Sequence, residues 1–242
     1  MGPLSHIYVS TKVVKRNSDL LVFGSVLPDF SWTSKTSIGS DQIHYNPSRF
    51  YDFIKNNYPE FTNLGLGARL HSDVDKGADF YSDDTQKGFA KVKGKYIEND
   101  ISKLLGEEKS EKTLQLAHTY IEVGVDILLN IEDSNILEMY KQSVNTLDLN
   151  KIADCISDYL NIDSSTIQKE IQNFINIVGP NSYSSIETLH ENLLSYIKLS
   201  RGKNVDLLLS RSILQKAQNI MENKYQKYLD SAIQKIRVDT HV

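Results

Sequence analysis

Residues 109–130 read Lys109-Ser-Glu-Lys-Thr-Leu-Gln-Leu-Ala-His-Thr-Tyr-Ile-Glu-Val-Gly-Val-Asp-Ile-Leu-Leu-Asn130. Leu114, Ala117, Ile121, Val125 and Leu128 recur with a period near 3.6, and the stretch is too long for a strand. It predicts an amphipathic helix opening at Ser110 and Glu111. Within it His118 and Glu122 stand four apart, so both side chains share one face. Asp126 continues that face by another turn. The carboxylates interrupt an apolar stripe, and a buried carboxylate is costly unless paired or bound to a cation.

Working outward, residues 60–80 carry a second stripe of Phe61, Leu64, Leu66, Leu70, Val74 and Ala78, with Gly65 and Gly67 inside it. Read as one helix, it places His71 and Asp75 on one face and Asp79 a turn further on. A divalent ion would resolve the cost of the carboxylates on both helices. Other helices are expected at 4–15, 47–57, 95–105, 134–145, 148–160, 164–178, 185–199 and 204–236. Asp148 and Ser164 are candidate N-caps, Pro47 suits a first turn, and Gly179-Pro180 marks a break. Residues 31–46 read as a loop, and the polar stretch 82–94 includes one. Strand-like alternation and fixed-period repeats are absent. The expected fold is all-α, with residues 1–146 as a metal-binding helical domain and 147–242 as helices packed on it.

Composition narrows the function. The chain has 242 residues, 27 basic and 31 acidic, for a net charge of −4. No basic excess exists to neutralise a long run of phosphates, which argues against a broad nucleic-acid interface. The one cysteine, Cys155, excludes an internal disulfide and a cysteine-based metal site. No run reaches 18 apolar residues, and the start lacks the basic-then-apolar pattern of a secretory signal. Cytoplasmic residence is the default expectation. Six histidines occur, and four of them lie in the first half: His6, His44, His71 and His118, each near a carboxylate.

Two further pieces join the paired residues. His6 falls on the first expected helix. Gly24-Ser-Val-Leu-Pro-Asp29 ends an apolar stretch with a carboxylate that Pro28 can aim, and His44-Tyr45 precedes Pro47. The order is then His, G-x-x-x-P-D, His-aromatic, G-x-x-x-H-x-x-x-D and H-x-x-x-E. In this order residues 1–130 resemble the zinc-dependent phospholipase C family, which is related in fold to the S1/P1-type nucleases. Tyr45 stands where that family has tryptophan. Met-Gly-Pro stands where its secreted enzymes begin with a metal-binding tryptophan. A family histidine beyond the H-x-x-x-D pair is missing, and Asp79 is the substitute taken from helical spacing.

The resemblance implies an all-α fold holding up to three zinc ions. Asp29, His44, His71 and Asp75 would supply one ion. His118, Glu122 and Asp79 would supply a second, and a third would lie near His6. Imidazole and carboxylate donors also suit iron or manganese. The implied activity is hydrolysis of a small-molecule or lipid phosphodiester by metal-activated water, with Asp29 as general base. Arg69 and Lys76 are candidates to meet phosphate, and Tyr45, Tyr81, Tyr120 and Trp32 are candidate platforms. The alternative is a non-catalytic helical protein with a degenerate structural metal site. An HD-type phosphohydrolase needs adjacent His-Asp, which does not occur. Residues 131–242 carry no motif of the family, and His190 and His241 lie outside the pattern.

Overall fold

The computed structural model describes residues 1–30, 40–83 and 88–240. Among these the chain is all-helical, with no strand. The first half runs α1 (Pro3–Val14), α2 (Asp19–Val26) with a 3-10 turn at Leu27–Asp29, α3 (Ser40–Ile43), α4 (Pro47–Asn57), α5 (Thr62–His71), α6 (Ala78–Asp83), α7 (Phe89–Gly94), α8 (Glu98–Leu105) and α9 (Glu111–Glu132). The second half runs α10 (Asn135–Thr146), α11 (Leu149–Leu160), α12 (Ser164–Val178), a 3-10 turn at Pro180–Tyr183, α13 (Ile186–Arg201), α14 (Leu207–Met221) and α15 (Tyr225–Thr240). Trp32 and His241 lie outside the described residues.

Capping chemistry sets many of these ends. Ser110 and Thr113 form a reciprocal capping box at the start of α9. The Asp148 side chain accepts from Lys151 N at α11. At α12 the cap is Asp163, which accepts from Thr166 N, so Ser164 is the first helical residue and not the cap. Gly106, at φ 62°, closes α8. The expected 204–236 helix is two helices, separated at Glu222–Lys224 with Asn223 at φ 61°. Short helix α3 lies in the segment expected to be a loop, and α7 in the stretch expected to include one.

The largest departure is at residues 60–80, where one helix was expected. Helix α5 ends at His71, and Ser72 is extended at ψ 148°. The chain then turns tightly, with Gly77 N donating to Ser72 O at 2.6 Å and Lys76 at φ 55°. A side chain at Gly77 would collide with the carbonyl oxygens of Leu70 and Ser72. Six residues of turn therefore separate His71 from the next helix, and the His71–Asp75 spacing is not helical.

Helices α2 and α5 pack backbone to backbone. A Cβ on Gly67 would sit 2.6 Å from Leu21 O and Ser25 N, and one on Gly24 would strike Leu64 O. This close approach carries the end of α2, and Asp29 beyond it, to the end of α5 at His71. The second half closes the other side. Gly124 of α9 meets Gln218 of α14, and Arg237 of α15 donates to the Val13 carbonyl. Apolar core residues run continuously through both halves. Tyr120 belongs to that core: its hydroxyl pairs with Ser210 Oγ at 2.5 Å, which also meets His190 Nε2 at 2.9 Å. Tyr120 and His190 are thus structural, and Tyr120 is no base-stacking platform.

Asp126 is fully buried, and its burial has a different resolution from the cation expected. Its carboxylate accepts Leu4 N at 3.0 Å, Ser5 N at 2.9 Å, Ser5 Oγ at 2.6 Å and the Tyr183 hydroxyl at 2.9 Å. Gly2, at the N-cap of α1, has no side chain to offer. Asp126 therefore caps α1 from α9 and meets the helix's positive end. Burial pushes its carboxyl up to about 6, against the pull of these hydrogen bonds. Asp126→Ala removes the acceptor of two buried N–H groups and two hydroxyls, and is expected to cost about 3 kcal/mol. A urea midpoint unchanged in this variant would refute the capping role.

Candidate metal centre

The site forms where the start of α1, the end of α2, the end of α5, and helices α6 and α9 meet. His6 comes from the second turn of α1, Asp29 from the 3-10 turn after α2, and His44 from the residue after α3. His71 is the last residue of α5. Asp79 and Asp83 stand four apart on α6, and His118 and Glu122 four apart on α9, so each pair shares a face.

Asp79 is the hub. Its Oδ1 lies 3.1 Å from His6 Nε2, and its Oδ2 lies 3.2 Å from His44 Nε2 and 3.1 Å from His71 Nε2. Asp29 Oδ1 is 3.4 Å from His71 Nε2 and 3.9 Å from His44 Nε2. Beside this group, His118 Nε2 is 2.8 Å from Asp83 Oδ1 and 2.9 Å from Glu122 Oε1. The Met1 amine bridges the two groups, 2.5 Å from Asp79 Oδ1 and 2.8 Å from Glu122 Oε1. His6 and His71 stack with ring centroids 3.7 Å apart and planes 9° from parallel.

Three features make these donors fit a metal. His6 and His71 are fully buried, yet neither Nε2 has a hydrogen-bond partner among the described residues. Their 3.1 Å approaches to Asp79 lack hydrogen-bond alignment. Two donors about 2.0–2.1 Å from one tetrahedral ion stand roughly 3.3 Å apart, which is the spacing seen here. Last, the set is mixed imidazole and carboxylate, and donor atoms of His6, Asp29 and His71, of His44, His71 and Asp79, and of Asp83, His118 and Glu122 converge in threes. These buried groups can hold metal ions.

Neighbouring groups orient the donors, as around metal-ligating histidines generally. His71 Nδ1 lies 2.8 Å from the Ser25 carbonyl, which can only accept, so Nδ1 carries the hydrogen. Ser82 Oγ donates to Glu122 Oε1 at 2.6 Å. Gln115 lies 3.3 Å from His118 Nδ1.

Without metal, protons and the amine balance the buried anions. Burial pulls His71 down, but Asp79 and Asp29 outweigh it and push it up to about 10. His118 is likewise pushed up to about 10 by Glu122 and Asp83 against burial. His6 goes the other way, to about 4, through burial and then the charge on His71 stacked against it. Burial raises Asp79 and Glu122, yet the amine and the imidazoles hold both well below the usual carboxylate range.

The structure thus brings together His6, Asp29, His44, His71, Asp79, His118 and Glu122. His6 lies within the His71–Asp79 group and not apart from it. Asp75 does not join them: its Oδ2 accepts from Ser48 Oγ at 2.6 Å and faces Arg69 Nε at 3.7 Å. The turn after His71 is the cause. Arg69 faces Asp75 and the Tyr51 ring, 5.9 Å to its centroid. Asp83 was missed in the sequence reading, although Asp79-x-x-x-Asp83 is itself a helical pair. The Ser25, Ser82 and Gln115 contacts carried no sequence signal.

A cavity of about 160 Å³ opens on these donors, and its far wall comes from α12 and α13. None of the described helices is long and apolar enough to cross a membrane. Comparison with protein-family models, with curated proteins and with solved structures finds no match to this chain.

Proposed function

We propose that the protein is a metal-dependent phosphoesterase of zinc-dependent phospholipase C type, hydrolysing a phosphodiester at a two-ion centre. The observation that supports this most is the convergence of four imidazoles and four carboxylates, of which His44, His118 and all four carboxylates line one cavity. Asp29, His6, His44, His71 and Asp79 would hold one ion, and Asp83, His118 and Glu122 the second. Zinc suits this set best, with iron and manganese as chemical alternatives. Bound ions in such a set supply Lewis acidity toward phosphoryl oxygens and lower the pKa of water.

The chain's own residues do the rest. His71 is locked by Ser25, and Glu122 by Ser82, so the donors are preorganised. Burial of the cluster keeps bulk water from its back face. Asp29 is 26% exposed and lines the cavity, with Oδ1 toward His71. In this reading it is the carboxylate that takes a proton from attacking water. Asp29→Asn keeps the shape and removes the base. With most donors left in place, bound metal is expected to stay near the wild-type level. Hydrolysis of bis(p-nitrophenyl) phosphate is expected to fall about 10²–10³-fold. Full activity in this variant would remove Asp29 from that role. Zinc-loaded wild-type protein that hydrolyses no phosphoester would overturn the proposal.

A further inference from the structure

We infer that the site selects a phosphodiester in which the organic group held in the cavity is compact and apolar, about the size of a six-carbon ring, and that α12 and α13 do the selecting; this rests on the phosphoesterase reading. The cavity has two unlike walls. One is the donor cluster. The other is mostly carbon: Phe174, Ile177 and Val178 from α12, Leu189 and Leu193 from α13, with Val123 of α9 between them and Asn192 and Tyr196 of α13 beside them. Apart from Val123, that wall comes from the half of the chain that carries none of the cluster residues.

Size limits the occupant. The space, donor wall included, is about 160 Å³, and an apolar cavity of about 150 Å³ takes one benzene-sized molecule, so the organic group is no larger than that. A two-chain lipid or a nucleoside is larger and would leave part of itself in solvent, because the cavity opens to the surface. No lysine or arginine lines the cavity among the described residues, so a second phosphate on the substrate would meet no cationic side chain. A sugar or base would set most of its polar edges against carbon, with Asn192 and Tyr196 the polar residues of α13 there, and each edge left unpaired carries a penalty an apolar group avoids. The phosphoryl group therefore belongs at the donor wall and the organic group against α12 and α13.

Calorimetric titration of the zinc-loaded protein with methylphosphonate, phenylphosphonate and dodecylphosphonate, the last below its micelle concentration, tests this without turnover. Phenylphosphonate is expected to bind at least about tenfold tighter than methylphosphonate, from the apolar area it buries. Dodecylphosphonate is expected to bind no tighter than phenylphosphonate. Two separate variants, Ile177→Trp and Leu193→Phe, fill the cavity from α12 and from α13. Each that keeps its zinc and helical content is expected to abolish the phenyl advantage and leave methylphosphonate within about twofold. Equal binding of methyl and phenyl compounds overturns the inference and leaves the phosphoesterase reading standing. Much tighter dodecyl binding overturns compactness, and a phenyl advantage kept in both variants overturns the assignment to α12 and α13. If the protein retains zinc and binds no phosphonate, the phosphoesterase reading itself fails.

Discussion

Asp79→Asn is expected to remove at least one bound metal ion per chain and to lower phosphodiester hydrolysis about 10³-fold or more, the scale of several kcal/mol of lost Lewis-acid stabilisation. Both carboxylate oxygens are in use: Oδ1 faces His6 and the Met1 amine, and Oδ2 faces His44 and His71. Asparagine keeps the outline but has a single acceptor oxygen. Its amide hydrogens would point at imidazole nitrogens or at the amine. In the metal-free protein the same change leaves the His71 imidazolium and the amine without their nearest anion. Breaking a buried pair this way costs about 3–5 kcal/mol. The two effects separate by experiment: elemental analysis reads the metal, and urea unfolding in excess chelator reads the protein. Asp75→Asn is the control, expected to keep full metal and rate because Asp75 serves Ser48 and Arg69. If Asp75→Asn lost the metal and Asp79→Asn kept it, the assignment of the hub would be reversed.

The contrast between these two aspartates shows what the sequence can carry. On α9 the helix runs unbroken through His118 and Glu122, so spacing alone placed both on one face. After His71 the same spacing failed, because Ser72 and Gly77 fold the chain into a turn that an apolar stripe does not register. Asp79 reached the site all the same, carried by α6 and not by the expected continuation of α5. Asp83 was readable from its four-residue offset to Asp79. The long-range partners were not. Asp126 is satisfied by Leu4 and Ser5, about 120 positions away. The approach of Asp29 to His71 depends on Gly24 and Gly67 letting two helix backbones touch. A glycine in a sequence shows that space is free, and only the fold shows what fills it. The apolar wall of the cavity likewise arises from packing between halves.

Removing the metal is expected to lower the unfolding midpoint by about 10 °C and to create an alkaline instability that the loaded protein lacks. A ligand held at about 1,000 times its dissociation constant stabilises by about 4 kcal/mol, and a chain of this size shifts by roughly 2–4 °C per kcal/mol. The pH dependence follows from the cluster. His71 and His118 are pushed up to about 10 in the metal-free protein. Their contribution is fully present below about 6.5, the ordinary histidine value, and is lost as pH rises toward 10. Asp79 and Glu122 are held low, so theirs is present above about pH 4.5 and lost as pH falls further. These four groups place the best stability of the metal-free protein between about pH 4.5 and 6.5, and His6, whose lowered value costs stability as pH falls below about 6.5, moves the optimum to the upper end of that window. A bound ion takes the Nε2 positions and the protons leave, so loading at pH 7.5 is expected to release about two protons per chain. His6, pushed down to about 4, is already neutral there and releases none. Titrating zinc in buffers of different ionisation enthalpy counts these protons directly. Zinc binding that releases none at pH 7.5, or an alkaline limb equally steep with and without metal, would show that the ion does not bind through His71 and His118.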